Sequence, residues 1–191
     1  MQKGGSMSHP YKASGFSLIE LLIIMTLLAI VAGVAIPNFQ RLVQANRAQG
    51  ATEELLAQLQ FARSEAVVRN RIVTVENLSG TDGRWDQQIR IYVSGNQTAN
   101  RAFVPPSSPP APGDDEELRF HEGMNNVTLT AIGDARVEEW ISFRPNGTLA
   151  ITGASSIIVC PDNQPDRGRS LTLEPSGRIA MPATAPTVCT P

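Results

Sequence analysis

Between Phe16 and Phe39 the chain runs for 24 residues with a single charged side chain, Glu20: FSLIELLIIMTLLAIVAGVAIPNF. Wound as an α-helix at about 1.5 Å per residue, this stretch reaches roughly 36 Å, against the roughly 30 Å of hydrocarbon in a bilayer. A core helix seldom runs that far without a polar face, so residues 16–39 are expected to cross a membrane. What precedes them is short, polar and positive: MQKGGSMSHPYKASG holds both lysines of the chain, Lys3 and Lys12, and no acid. Positive flanks stay cytoplasmic, which sends the C-terminal portion to the other side. A secretory signal peptide would show an apolar core of about 7–15 residues and a small-residue cleavage site behind it. Here the run is longer and carries a carboxylate in its second turn, so the boundary is set at Gly15 and Phe16.

Gly15-Phe16-Ser17-Leu18-Ile19-Glu20, followed by an apolar helix with Pro37 near its far end, resembles the class III signal of type IV prepilins and type II secretion pseudopilins. The resemblance implies a membrane prepilin peptidase that cuts after Gly15, N-methylates Phe16 and leaves the helix attached. Residues 1–15 are then a leader, and Met7 offers an internal start. The residue chemistry agrees. Glycine before the cut has no Cβ and allows close approach of a protease to extended backbone. A carboxylate at helix-centre depth costs about 2.5–3.5 kcal/mol, so Glu20 needs a partner. Cleavage supplies one, the new amine at Phe16, which is cationic near neutral pH. Complementing the helix N-terminus, worth about 0.3–1 kcal/mol, is too weak to replace that pairing. The family places the pairing within or between subunits as they enter a filament. Pro37 deprives the Gly33 carbonyl of its helical hydrogen bond, so a kink or a local loss of helix is expected between Gly33 and Pro37.

Beyond Phe39 the pattern turns amphipathic. Leu42, Ala45, Leu55, Leu59, Ala62 and Ala66 recur at helical spacing with charges on other faces, and one helix from about Ser17 to Asn70 is expected. Its a/d repeat is too irregular for a free coiled coil, so residues 40–70 should pack on a head. From 71 to 191 the chain reads as short strands: IVTVEN, QIRIYV, VTLTAI, WISF, TLAITG, SSIIVC, RSLTLE and GRIAM, with PNG at 145–147 and PSG at 175–177 as turns. The expected class is α+β, a long helix on an antiparallel sheet or sandwich. RAFVPPSSPPAPGDDEELRF, residues 101–120, reads as a surface loop, its acids Asp114 to Glu117 a solvated charge run without calcium-site spacing. ARSEAVVRNRIVTV, Trp85, ISFRPNGTL and RSLTLEPSGRI are similar to the GspH/FimT group of pilin-like proteins.

The formal charge is −2, and after Lys12 there are 14 Arg against 18 Asp plus Glu, which disfavours a general nucleic-acid binder. Arg167, Arg169 and Arg178 are the candidate phosphate contacts. However, Gly168-Arg169-Ser170-Leu171 and Gly177-Arg178-Ile179-Ala180 each lack the second arginine of the GRxR pattern of DNA-uptake pilins in the group. Two histidines and two cysteines leave almost no material for a metal cage, and no metal or other cofactor is expected. Cys160 and Cys189, on the extracytoplasmic side, are read as a disulfide worth roughly 3–4 kcal/mol. His9 and His121 have no nucleophile partner, no glycine-rich phosphate loop follows a strand, and no enzymatic activity is expected. His121 reads as an ordinary loop or surface residue.

The resemblance thus implies a filament subunit, first of all a minor pilin that primes type IV pilus assembly at the tip. An H-type pseudopilin of type II secretion is the second reading and a DNA-binding uptake pilin the third. The implied partners are the prepilin peptidase, the inner membrane, and other minor and major pilins or pseudopilins. The head would be periplasmic.

Overall fold

The computed structural model describes residues 17–79, 83–99, 103–182 and 184–189. The first element is a single helix of 52 residues, α1 (Leu18–Arg69), close to the expected limits. It runs unbroken through Pro37, so the local loss of helix expected between Gly33 and Pro37 is absent. One missing backbone bond does not break a ladder this long. One position further on, Asn38 Nδ2 donates to the Val34 carbonyl at 3.0 Å. The chain divides into two compact units, residues up to Gln40 and residues from Arg41 on.

In the second unit α1 turns Ala48, Ala51, Thr52, Leu55, Gln58, Leu59, Ala62 and Ala66 inward, a stripe at spacings of three and four. Asn70, at φ 52°, ends the helix in the left-handed region. Among the described residues eight strands follow: β1 (Val73–Asn77), β2 (Ile89–Val93), β3 (Glu116–His121), β4 (Thr128–Ile132), β5 (Trp140–Phe143), β6 (Ser155–Cys160), β7 (Arg169–Leu173) and β8 (Ile179–Ala180), with a short helix α2 (Ala135–Glu139) before β5. They form two antiparallel sheets, in the orders β3-β2-β1-β5 and β4-β6-β7-β8. Leu55, Leu59, Val75, Trp85, Ile91, Leu129, Phe143, Ile157 and Leu171 all belong to one buried cluster, which joins the helix stripe to both sheets.

Three local readings are corrected. Residues 116–121 are a strand and not loop: β3 pairs with β2, with a bulge at Ile91/Tyr92. Its acids do not repel one another freely, because Glu116 is bonded by Arg69 at 3.0 Å and Glu117 by Arg90 at 3.0 Å. Asp115 is buried, so the run Asp114–Glu117 is not a uniformly solvated one. TLAITG is not a strand. Leu149 makes one bridge to Phe143, and Ala150 donates to the Ser142 carbonyl, which covers the outer edge of β5 without a regular ladder. His121 closes β3 with Nε2 2.5 Å from Glu54 Oε1, while Nδ1 accepts from the Gly123 amide.

Candidate functional site

Gly15 and Phe16 lie outside the described residues. The described chain starts at Ser17, whose carbonyl accepts the Leu21 amide at 3.1 Å and opens the helix. From there the apolar side chains face outward on every side. Leu18 is 80% exposed, Ile30 68%, and Phe39 66%. The most apolar 18-residue window has a mean hydropathy of 2.7, and none of it is buried within the chain. Two polar side chains on this stretch are satisfied by their own helix: Thr26 Oγ1 donates to the Ile23 carbonyl and Asn38 to that of Val34. Each therefore turns a donor back onto its own helix and away from lipid. Glu20 is different. It sits in the first turn, exposed, and among the described residues nothing bonds to its carboxylate. Residues 18–40 thus combine a largely apolar circumference with one charge, Glu20, that meets no partner among the described residues.

The head carries a second built feature. In the PNG turn, Arg144 N donates to Thr148 O at 2.8 Å and Gly147 N donates to Arg144 O at 2.8 Å. In the PSG turn, Gly177 donates to the Glu174 carbonyl at 2.8 Å, and the two turns join where Leu149 N meets Pro175 O at 3.0 Å. Both glycines have positive φ, +77° at Gly147 and +83° at Gly177. A Cβ on Gly177 would overlap the Gly147 carbonyl oxygen, and one on Gly147 would come within 3.2 Å of Arg63 Nε. The turns are therefore stacked on each other and against α1, which explains why their glycines stand where they do.

Cys160, at the end of β6, is bonded to Cys189, with the Cα atoms 5.9 Å apart. The tail is drawn across Gly168, where a Cβ would come within 2.8 Å of Pro186. The loop after Cys160 is also held to α1, since Gln44 Nε2 donates to Asp162 at 2.7 Å and Arg167 donates to Gln44 Oε1.

The three candidate arginines are not brought together as one basic patch. Arg169 opens β7, while Arg178 lies beside Glu174 past its other end, about 17 Å away at 3.3–3.4 Å per strand residue. Arg178 pairs with Glu174 at 3.3 Å, Arg167 lies 3.5 Å from Asp166, and Arg169 donates to the Gly168 carbonyl. Among the described residues no group of three or more His, Cys, Asp or Glu is placed to hold a metal ion.

Sequence reasoning missed the polar ties between α1 and β3: Arg69 to Glu116, Gln58 to Arg119, and Glu54 to His121, with the Arg119 guanidinium 4.0 Å over the Phe61 ring. These partners stand 47 to 67 positions apart, so no local pattern signals them. It also missed the two hydrogen-bonding carboxylates of Asp114 and Asp115.

Comparison with known proteins places two family models on the chain. One, the type II transport protein GspH, matches residues 51–177. The other, the prokaryotic N-terminal methylation motif, matches residues 11–36. Among solved structures, a crystal form of the type IV minor pilin FimU of Pseudomonas aeruginosa is 28% identical, with a TM-score of 0.59, over 76% of this chain and 96% of that one. A second form of the same protein gives 28% and 0.56 over 74% of this chain and 99% of that one. The minor pseudopilin EpsH of the Vibrio cholerae type 2 secretion system, at 12% and 0.48 over 72% of this chain and 97% of that one, is too distant to carry weight. No curated protein matches.

Proposed function

This chain belongs to the GspH family, within the minor pilins and pseudopilins, and on that footing we propose that it is a minor pilin of a type IV pilus, a structural subunit and not an enzyme. The observation that carries the reading is the outward-facing apolar helix behind a methylation-type junction. Residues 18–39 bury nothing within the chain, so their apolar surface must be covered first by lipid and then by other helices. The similarity to FimU favours the pilus over other members of the group.

The steps follow from the residues. The helix anchors the precursor in the inner membrane with residues 41–191 in the periplasm. Prepilin peptidase cuts after Gly15 and methylates Phe16. The cationic amine then offers Glu20 the partner that the described chain lacks, in the same or an adjacent subunit. Because a lone carboxylate in lipid is penalised, by about 2.5–3.5 kcal/mol at the bilayer centre and less near its edge, the pairing rewards one axial register over its neighbours. The missing bond at Gly33, opposite Pro37, marks where this half bends as it packs. Partners are other minor pilins and the major pilin, met at the pilus tip. The test is Gly15→Val in the full chain: an unprocessed, membrane-bound precursor is expected, and normal processing would overturn the reading.

The family description favours a second reading, an H-type pseudopilin of a type II secretion system. It uses the same helix, and the two part on phenotype: deletion abolishes twitching in the first case and exoprotein release in the second. DNA uptake is not assigned, since Arg167 and Arg178 are already paired with acids and lie at opposite ends of β7.

A further inference from the structure

Ten consecutive residues, Val104 to Gly113, are exposed; five are prolines and none is charged. The segment is nevertheless fixed along its length. At its start the Phe103 ring meets Tyr92 edge-on at 5.2 Å and lies 4.4 Å under the Arg90 guanidinium. The buried carboxylate of Asp115 accepts the amides of Gly95 and Val104, each at 2.7 Å. Asp114 Oδ2 accepts the Ser107 amide at 2.7 Å, the Ser107 hydroxyl at 2.9 Å and the Ala111 amide at 2.7 Å. Gly95 runs so close beneath that a Cβ there would overlap the backbone at Gly113 and Asp114. None of these bonds buries a proline. Two carboxylates are committed to holding an uncharged, ring-bearing surface out into solvent.

The chemistry of that surface selects its partner. With no cation it offers nothing to a phosphate backbone or an anionic headgroup. Val104, 43% exposed, is its sole large aliphatic side chain, too little to enter hydrocarbon. Proline rings whose conformation is already set dock on aromatic side chains at low entropic cost. We propose that Val104–Gly113 is a docking epitope for another protein of the same assembly that presents exposed aromatic rings. Pro105, Pro106, Pro109 and Pro110 supply the contact, and Asp114 and Asp115 are positioning residues. The inference rests on the filament-subunit reading for the compartment in which the partner is met.

The test uses the full chain in its own membrane, with photoreactive benzoylphenylalanine replacing Pro106 or, separately, Pro110. Irradiation should join both positions to one other protein, through a peptide bearing a surface Phe, Tyr or Trp. Asp114→Ala, which frees the loop, should cut the adduct about tenfold while the head keeps its protease resistance. No protein adduct, adducts confined to lipid or nucleic acid, a peptide without an aromatic residue, or a yield indifferent to Asp114→Ala would each overturn the proposal. Processing at Gly15 is read in the same samples. Its failure sinks the filament-subunit reading, whereas normal processing without adducts sinks the epitope alone.

Discussion

Gly147 and Gly177 share a backbone conformation but not an environment, and that difference isolates the energy of the stacked turns. Replacing either by Ala forces an L-residue to φ near +80°, at roughly 1–2 kcal/mol. At Gly147 little more is added, because the nearest atom to the new methyl is Arg63 Nε at 3.2 Å, the far part of a side chain that can swing away. At Gly177 the methyl would overlap a backbone carbonyl, so one turn must move. The bonds at risk are Leu149 N to Pro175 O at 3.0 Å and Gly177 N to Glu174 O at 2.8 Å, and losing both adds about 1–3 kcal/mol. Gly177→Ala should therefore cost about 2–5 kcal/mol and Gly147→Ala about 1–2 kcal/mol. At about 2–4 °C per kcal/mol for a domain of this size, the melting temperature should drop by about 4–20 °C for the first and about 2–8 °C for the second. The assay is thermal unfolding of the full chain in detergent, followed by tryptophan fluorescence, with fully buried Trp85 as the main reporter. Equal losses in the two variants would refute the argument, since only the stacking distinguishes them.

The Cys160–Cys189 bond closes a 29-residue separation, so Cys160→Ser with Cys189→Ser should destabilise the head by roughly 3–4 kcal/mol in pulse proteolysis; a loss below about 1 kcal/mol would show that the tail is held by packing instead. The hydrogen bonds from Ala111 and Ser107 hold the Asp114 carboxyl below its usual value of 3.8. A lowered folded value means that the order of the loop is complete above the ordinary carboxylate range and fades as pH falls through the lowered one. Hydrogen exchange should therefore find the Ser107 and Ala111 amides protected at about pH 6 and released only well below the ordinary Asp value, and release already at about pH 5 would contradict this. Glu20→Ala should be processed normally yet recovered poorly in sheared filaments, while wild-type recovery would remove the amine pairing.

Legibility followed the range of the forces involved. α1 was readable because its apolar run and the later Ala48, Leu55, Leu59, Ala62 and Ala66 spacing are local signals, and the observed Leu18–Arg69 lies within one residue of the expected ends. β1, β2, β4 and β6 were readable from β-branched alternation, as in Val73–Asn77 and Ser155–Cys160. β3 was not, because in EELRFH the alternation is limited to Leu118 and Phe120 behind an acidic run, and its side chains are tied to Arg69, Gln58, Glu54 and Arg90, all distant in sequence. α2, five residues long, is too short for a period. Its signal was Asp134, which accepts the Arg136 amide as N-cap and the Thr152 amide and hydroxyl beside it. At the candidate site the junction residues Gly15 and Phe16 lie outside the described residues, and the separation of Arg169 and Arg178 was not legible, since strand register sets it.

In the head, charge is largely settled within the chain: Arg84 with Asp86, Arg90 with Glu117, Arg69 with Glu65 and Glu116, Arg178 with Glu174. Its apolar residues likewise share one buried cluster. Residues 18–40 satisfy neither rule, for their side chains are exposed and Glu20 meets no cation among the described residues. Both deficits fall on the same half of one helix. Lipid can cover the apolar surface but supplies no cation, whereas on the filament-subunit reading proposed above a bundle of processed copies would supply both, one amine arriving with every helix. On that reading the balance between membrane and filament turns on Glu20 more than on the apolar residues around it, which either environment accommodates.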